Sequence, residues 1–544
     1  MAKRCLQSGS EFQCSLLLFW GVLLITGCSR SVPPPEESVA DRAPARGEKS
    51  GLKIRLIADE GKEKKFDAPD TAIRKAEGGY PKKAAANEFV SRNGEIFTDW
   101  KKPQLAIVLS GMLDGYIEPC GCAGLDNQKG GLSRRHTLFE ELREKGWPVI
   151  GLDLGGMVRR LGPQAAIKYQ RAIDAHRLLG YNTIGLGGRD LQLPTEILLA
   201  QLTQDEPSPF VSANVRSIFD DDFGLTTRFR VIEAGGLRIG VTQVLGEDFG
   251  GDLQNADFQY QTPADALPTV VKQLKAEKCD LLILLANASL EEARTLAKEF
   301  SAFNFVVVAG DSDPPPPQLE VVRGTPTRLI ELGHKGMYLG VLGIDNNPQQ
   351  HFLYQRVPLD GRFPNSKSID AMLAAYQDQL QQQGLAGLGL RANPHPSGRR
   401  FVGSQTCAEC HTDEYEIWEE TPHAHATETL THLPIPRQFD PECLSCHVTG
   451  WEPQEYYPFT HGYESLTKTP HLVGNGCENC HGGGAEHVAA ENGDLDVDDA
   501  KLAELRTGMR LTLEQARINV CVRCHDLDNS PDFEFDKYWP HVEH

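Results

Sequence analysis

The middle of the chain alternates short apolar runs with longer helix-like segments. The runs are Leu105-Ala-Ile-Val-Leu109, Val149-Ile-Gly-Leu-Asp153, Leu237-Arg-Ile-Gly-Val241, Asp280-Leu-Leu-Ile-Leu-Leu285 and Phe305-Val-Val-Val308. Runs of that length predict largely buried strands. Arg134 to Lys145, Gln164 to Leu179 and Leu290 to Phe300 predict helices between them. Such alternation predicts an α/β core with helices covering the strands. One more helix is predicted over residues 369 to 384, followed by a linker containing glycine and proline, Gly384 to Arg400. Outside this region the pattern fades. Residues 29 to about 100 are dominated by Gly, Pro, Lys and Glu and predict a mostly disordered tether, with one short strand at Leu52-Lys-Ile-Arg-Leu-Ile57. Residues 401 to 544 predict short helices in a loop-rich domain.

The first residues carry a different pattern. Lys3 and Arg4 precede the apolar run Leu16 to Ile25, which is too short to be a full membrane span. Ile25-Thr26-Gly27-Cys28 resembles a bacterial lipobox, whose cysteine becomes the lipidated first residue of the mature chain. A plain secretory signal and an uncleaved anchor are the alternatives. The tether starting at Val32-Pro-Pro-Pro-Glu-Glu favours the lipoprotein. Acyl chains on Cys28 would hold the protein firmly to a bilayer. The expectation is an exported protein, on the periplasmic or cell-surface side of a bacterial membrane. The sequence divides as 1–27 signal peptide, 28–100 tether, 101–365 α/β domain, 366–400 helix and linker, and 401–544 a second domain.

Chemistry concentrates in that last segment. It holds four Cys-x-x-Cys-His motifs: Cys407/Cys410/His411, Cys443/Cys446/His447, Cys477/Cys480/His481 and Cys521/Cys524/His525. Each is an attachment signal for a c-type haem, with two thiols for the vinyl groups and a histidine for the iron. Structural zinc sites also use Cys-x-x-Cys pairs, but they do not require a histidine directly after each one. With 17 histidines in 544 residues, four such placements by chance are on the order of one in a million. The expectation is four covalently bound haem c groups, with His411, His447, His481 and His525 as proximal ligands.

The same segment resembles a tetrahaem cytochrome c family whose best-known members accept electrons from hydroxylamine oxidoreductase. The resemblance rests on Phe401-Val-Gly-Ser-Gln-Thr-Cys, Thr421-Pro-His423-Ala-His-Ala and Glu442-Cys-Leu-Ser-Cys-His-Val-Thr-Gly. It continues through Cys477-Glu-Asn-Cys-His-Gly-Gly-Gly-Ala-Glu-His487 and the ending Lys537-Tyr-Trp-Pro-His-Val-Glu-His544. It implies closely packed haems suited to electron hopping, and it allows one five-coordinate haem. By motif position it points to His423, His487 and His544 as distal ligands. A fourth is left open among His461, His471 and His425.

The middle region resembles the catalytic domain of exported 5′-nucleotidases, within the calcineurin-like metallophosphoesterases. The matching stretches include Leu109-Ser-Gly-Met-Leu-Asp-Gly, Leu152-Asp-Leu-Gly-Gly156, Gly187-Gly-Arg-Asp190, Gly310-Asp-Ser-Asp313 and Gly333-His-Lys-Gly. The resemblance implies a two-sheet sandwich flanked by helices. The fold class is therefore multidomain, an α/β metallophosphoesterase-like sandwich followed by a mainly α, loop-rich multihaem cytochrome c domain. The family's two-metal centre is not retained. Met112 and Gly156 stand where aspartates are expected, Asp114 and Arg189 replace histidines, and Gly188 replaces an asparagine. Asn287, Asp311 and Asp313 stand at further histidine positions. Glycine and methionine cannot hold a hard divalent ion, so ordinary phosphoesterase activity is expected to be absent. Asp114, Asp311 and Asp313 would hold one hard cation only if they converge. Beside this edge, Glu118-Pro-Cys120-Gly-Cys122 offers a redox thiol pair, or a soft-metal site completed by Cys279; two structural cysteines are the plainer alternative.

A formal charge of −20 with no basic stripe excludes nucleic acid as a partner and fits redox partner proteins docked by electrostatic steering. The reading is an exported, lipid-anchored electron carrier fused to a degenerate phosphoesterase-like domain. An oxidoreductase acting on a small nitrogen or sulfur species at an open haem is the main rival, and an active phosphoesterase the weaker one.

Overall fold

The apolar runs of the middle region become strands in two sheets laid face to face. The computed structural model describes residues 89, 93–119, 128–203, 207–251, 253–345, 352–530 and 533–544. The signal segment, Cys28, the strand expected at 52–57, and Cys120 and Cys122 lie outside the described residues.

Five strands make the first sheet: β1 (Leu105–Ser110), β2 (Val149–Asp153), β3 (Tyr181–Ile184), β12 (Tyr338–Ile344) and β13 (Phe352–Pro358), in the order β13-β12-β1-β2-β3. Six make the second: β5 (Arg230–Ala234), β6 (Leu237–Leu245), β8 (Leu281–Asn287), β9 (Phe305–Val308), β10 (Glu320–Val321) and β11 (Arg328–Glu331), in the order β10-β11-β9-β8-β6-β5. β4 (Val215–Ser217) and β7 (Phe258–Tyr260) form a separate ribbon. Five helices cover the sheets: α1 (Leu132–Glu144), α2 (Pro163–Leu179), α3 (Pro263–Ala276), α4 (Leu290–Glu299) and α5 (Lys367–Gly387).

The side-chain period of two sorts each strand into two cores. Leu105, Ile107 and Leu109 of β1 face inward and join Ile239, Val241, Ile283, Leu285 and Val307 between the sheets. Ala106 and Val108 face outward and are covered by residues of α1, α2 and α5. On the other sheet Leu282, Leu284 and Val306 lie under α3 and α4. Both faces are dry, and that is why the strands read as unbroken apolar runs.

Helix ends follow their local chemistry. The Ser289 hydroxyl accepts the Glu292 N–H and Thr262 accepts that of Asp265, so α4 and α3 start with a capped donor. α2 opens on Pro163 and stops at Gly180, whose φ of 78° favours glycine.

The α/β body reaches beyond residues 101–365 on both sides. Phe97 and Trp100 pack with Trp147, and Asn93 donates to Asp360. Ile369, Leu373, Tyr376 and Leu380 of α5 are part of the same core, so this helix is structural rather than linker. At Gly384 the helical path breaks, with φ 57° and ψ −179°.

The C-terminal region is built from short pieces: α6 (Ser404–Ala408), α7 (Thr412–Glu419), α8 (Ala426–Thr431), α9 (Pro441–His447), α10 (Cys477–His481) and a ribbon of β14 (Trp451–Glu452) and β15 (Tyr457–Pro458). Its apolar core is a single small cluster around Phe401, Leu444, Trp451 and Leu472. Residues 75–544 form one compact unit, so the α/β and C-terminal regions pack together. No helix among the described residues is long and apolar enough to cross a membrane.

Candidate haem-ligating site

Each motif sits on or beside a single helical turn. Cys443, Cys446 and His447 end α9, and Cys477, Cys480 and His481 make up the ends of α10. In the first and fourth motifs the histidine N–H reaches back to the carbonyl of the first cysteine, His411 to Cys407 and His525 to Cys521, both at 2.9 Å. A helical turn puts residues i, i+3 and i+4 on one side. Two thiols and an imidazole need that disposition to meet the same ring.

The imidazoles are oriented through their Nδ1 atoms. His447 Nδ1 lies 2.7 Å from the Ala426 carbonyl, His481 Nδ1 2.8 Å from that of Met509, and His525 Nδ1 3.1 Å from the Ser530 hydroxyl. A proton on Nδ1 satisfies these acceptors and leaves the Nε2 lone pair for a metal.

Three of the four motif histidines face a second histidine from another part of the chain. Ring centroids are 6.5 Å apart for His411 and His487, 6.0 Å for His423 and His525, and 5.7 Å for His481 and His544. Two imidazoles bound on opposite sides of one metal at about 2 Å place their centroids roughly 6 Å apart. Burial, reinforced by His525 and His447, pushes His423 down to about 4, so it stays in the neutral form that ligates. A cavity of about 630 Å³ opens beside His525, walled by Val522, Phe533 and Phe535. An apolar wall beside a ligating imidazole suits a flat macrocycle. His425, His461 and His471 are exposed and lie outside these three pairs. His425 is instead engaged with Glu428 and the Glu419 carbonyl.

The thiols give the spatial order of the motifs. Cys407 hydrogen-bonds Cys477, and Cys446 hydrogen-bonds Cys524. Cys480 lies in the electrostatic field of Cys521. The motifs therefore run first, third, fourth, second through space.

The α/β domain presents to this row the edge where its β1 and β2 strands end. Met112 fills that edge. Its sulfur accepts from Asn287 Nδ2 at 3.5 Å, and a Cβ on Gly156 would fall 2.5 Å from the same sulfur. Arg189 is exposed and turned to Gln192. Asp114 is held by His334 Nδ1 at 3.4 Å and the Lys335 N–H at 3.2 Å, whereas Asp311 and Asp313 are exposed. Among the described residues no three His, Cys, Asp or Glu side chains converge, so the three aspartates do not form the cation site considered above. Cys279 is separated from this edge as well. It precedes β8, whose far end, Asn287, meets Met112, and the seven strand residues between span roughly 20 Å. Cys279 instead packs among the apolar residues under α3, and burial raises its thiol pKa.

Sequence reasoning missed two sets of residues. Asp190 is buried and accepts the N–H groups of Gly156, Met157, Val158 and Gly187, which fixes the turn after β2. Burial pushes its carboxyl up to about 7 against those four donors. The second set joins the two regions. Asp528, just after the fourth motif, is gripped by Arg159 at 2.5 Å, by Lys335 and by Tyr116. The Arg160 guanidinium lies 3.9 Å from the Tyr456 ring centroid and donates to the Gln454 carbonyl. Near the second motif, Lys168 Nζ meets Glu442 at 2.7 Å, Gln164 meets Asp440 at 2.8 Å, and Arg437 pairs with Glu118. No motif or periodicity marks these residues, because each is an ordinary surface charge until its partner is in place.

With this geometry in view, the comparison that bears on the row is the family match. Residues 406–482 match the Cytochrome c554 and c-prime family. That match implies covalently bound haem c in this region and supports haem electron transfer. The described residues fit such a group, with paired thiols, oriented imidazoles and an apolar cavity wall. The middle region is similar to rat 5′-nucleotidase, at 25% identity over 239 residues, 40% of this chain and 41% of that one. The mouse 5′-nucleotidase is 22% identical over 286 residues, covering 48% and 49% of the two chains. Thus the chain spans about half or less of the length of these curated relatives. Among solved structures, a 5′-nucleotidase precursor from Thermus thermophilus is similar with a TM-score of 0.40 and 18% identity, covering 51% of this chain and 59% of that one. The protein is thus a two-part chain, a 5′-nucleotidase-like α/β region joined to a cytochrome c-type region.

Proposed function

We propose that this protein is an exported, lipid-anchored tetrahaem cytochrome c that moves electrons along a row of four haems. The observation that carries this reading is the trio of histidine pairs. Each joins a motif histidine to one remote in sequence at the separation two axial ligands need. When bound, haem c supplies a one-electron iron couple, and histidine on both faces favours a low-potential electron carrier. The chain's own residues do the rest. The cysteine pairs of all four motifs attach the groups. His411, His447, His481 and His525 hold the iron on one side, with His487, His544 and His423 opposite His411, His481 and His525. Hydrogen bonds at Nδ1 fix the ring planes. Cys28 carries the anchor, which would keep the protein on the outer side of a bacterial membrane. Cys120 and Cys122 serve as a thiol pair whose oxidation to a disulfide releases two electrons and two protons, the electrons passing to the row. Glu118, two residues earlier, is tied to Arg437 and so holds the start of that segment near the second motif.

The test is a haem count with spin-state spectroscopy on the full chain made in a host that matures c-type cytochromes. Four haems per chain are expected by pyridine haemochrome. His423→Ala, His487→Ala and His544→Ala should each convert one low-spin signal to high-spin in the EPR spectrum. Fewer than four haems, or three substitutions that leave every signal low-spin, would sink this assignment.

A further inference from the structure

The row of motifs has two unlike ends. Its second-motif end is clasped by the α/β domain. Lys168, whose side chain is only 9% exposed, reaches Glu442 beside Cys443, and Cys443 lies in the field of Asp440, Arg437, Glu442 and Glu118. The fourth motif, next in the row, is tied down by Asp528 to Arg159 and Lys335. The first-motif end is open. Cys410 is exposed, the His411 side chain is 56% exposed, and α7, which follows it, has no buried residue. We infer that the first-motif end is the port through which this protein exchanges electrons with a soluble redox protein carrying a lysine-rich face.

Charge decides the kind of partner. Glu409, Asp413, Glu416, Glu419 and Glu420 are exposed around the open end, and Phe401 to Pro436 contains no lysine or arginine. The clasped end is where cations gather, with Arg159, Arg160, Lys168, Lys335 and Arg437 already engaged at the joint. A basic partner is therefore attracted to one end and finds the other occupied. Exposed Ile417 within α7 adds an apolar contact inside the acidic rim. In the exchange one electron crosses; one iron goes from ferrous to ferric and the other from ferric to ferrous, and no bond or proton moves.

This inference rests on the haem reading, and the experiment separates the two. The full haem-loaded chain is reduced with dithionite and mixed with ferric mitochondrial cytochrome c, a lysine-rich one-haem probe. Association is measured separately by calorimetry on the oxidised proteins. Two charge-reversal pairs are compared, Glu416→Lys with Glu420→Lys on the open end, and Asp494→Lys with Asp496→Lys on a remote acidic loop. The first pair should weaken binding and slow the bimolecular rate about tenfold at low salt and flatten the salt dependence. The second pair should leave both within about twofold. Carbodiimide cross-linking of the unmutated protein should join the probe to residues 409–420. Equal effects from both pairs, no effect from the first, or cross-links confined elsewhere would overturn the port. A chain that binds no haem fails at the dithionite step and overturns the haem reading itself, and the port with it.

Discussion

The two halves of this molecule are held together by different physics. The α/β domain keeps itself folded: Leu105, Ile107, Leu109, Ile283 and Leu285 are completely buried, and the dry interior extends through both sheets. The C-terminal region has one small cluster of buried apolar residues to serve its whole length. Its most distinctive side chains are thiols and imidazoles pointing at one another. A region so poor in core borrows its interior from what it binds, as small domains that cannot bury enough apolar surface generally do.

The largest effect should come from withholding haem. Cys477→Ala with Cys480→Ala, or production without cytochrome c maturation, should make residues 401–544 sensitive to limited proteolysis while a fragment from about 93 to 387 survives. Equal resistance of both halves would break the comparison. Next, Leu109→Ala should cost about 2–5 kcal/mol in the unfolding of the α/β domain, because it opens a cavity between the sheets. The haem spectra should not change, and a shifted Soret band would show that the halves are not independent.

A smaller effect is expected at the joint. Burial raises the Asp528 carboxyl, but hydrogen bonds from Lys335 and Arg159 outweigh it and hold the group below its ordinary range. Its contribution to docking is therefore present above about pH 4 and lost as pH falls through the lowered folded value. Asp528→Asn should weaken the docked state by about 1–2 kcal/mol at pH 7 and abolish that acid dependence, read as domain separation by small-angle scattering from about pH 6 down to about pH 3. The smallest effect concerns His334. Its hydrogen bond to Asp114, despite partial burial, raises its pKa. The stabilisation it brings is complete below about pH 6.5 and fades as pH rises through the raised value. An NMR titration should show that upward shift, and Asp114→Asn should remove it.

The sequence was informative where a local rule sufficed. β1, β2, β6, β8 and β9 are visible as apolar runs because both their faces are buried. β12 and β13 are not, because Gly340 and Gly343 interrupt the first and Gln355 and Arg356 the second. The four motifs are visible because their geometry is contained in five consecutive residues. The facing of His487 to His411, or of His544 to His481, depends on the whole path of the chain between them, and residue spacing carries none of it. The joint is hidden for a related reason. Asp528 means nothing until Arg159 and Lys335, far earlier in the chain, are brought alongside.

The filled edge of the α/β domain also constrains the history of this protein. Gly156 has φ of 78° and no room for a Cβ beside the Met112 sulfur. An aspartate restored at position 156 alone would collide with that sulfur, and one restored at 112 alone would have no second carboxylate with which to share a metal. Neither single step back toward a metal centre gains anything, so the two changes protect each other. Once both were in place, selection had a one-way gate: a return to hydrolysis needs several simultaneous replacements, whereas elaborating the contact with the C-terminal region can proceed one residue at a time.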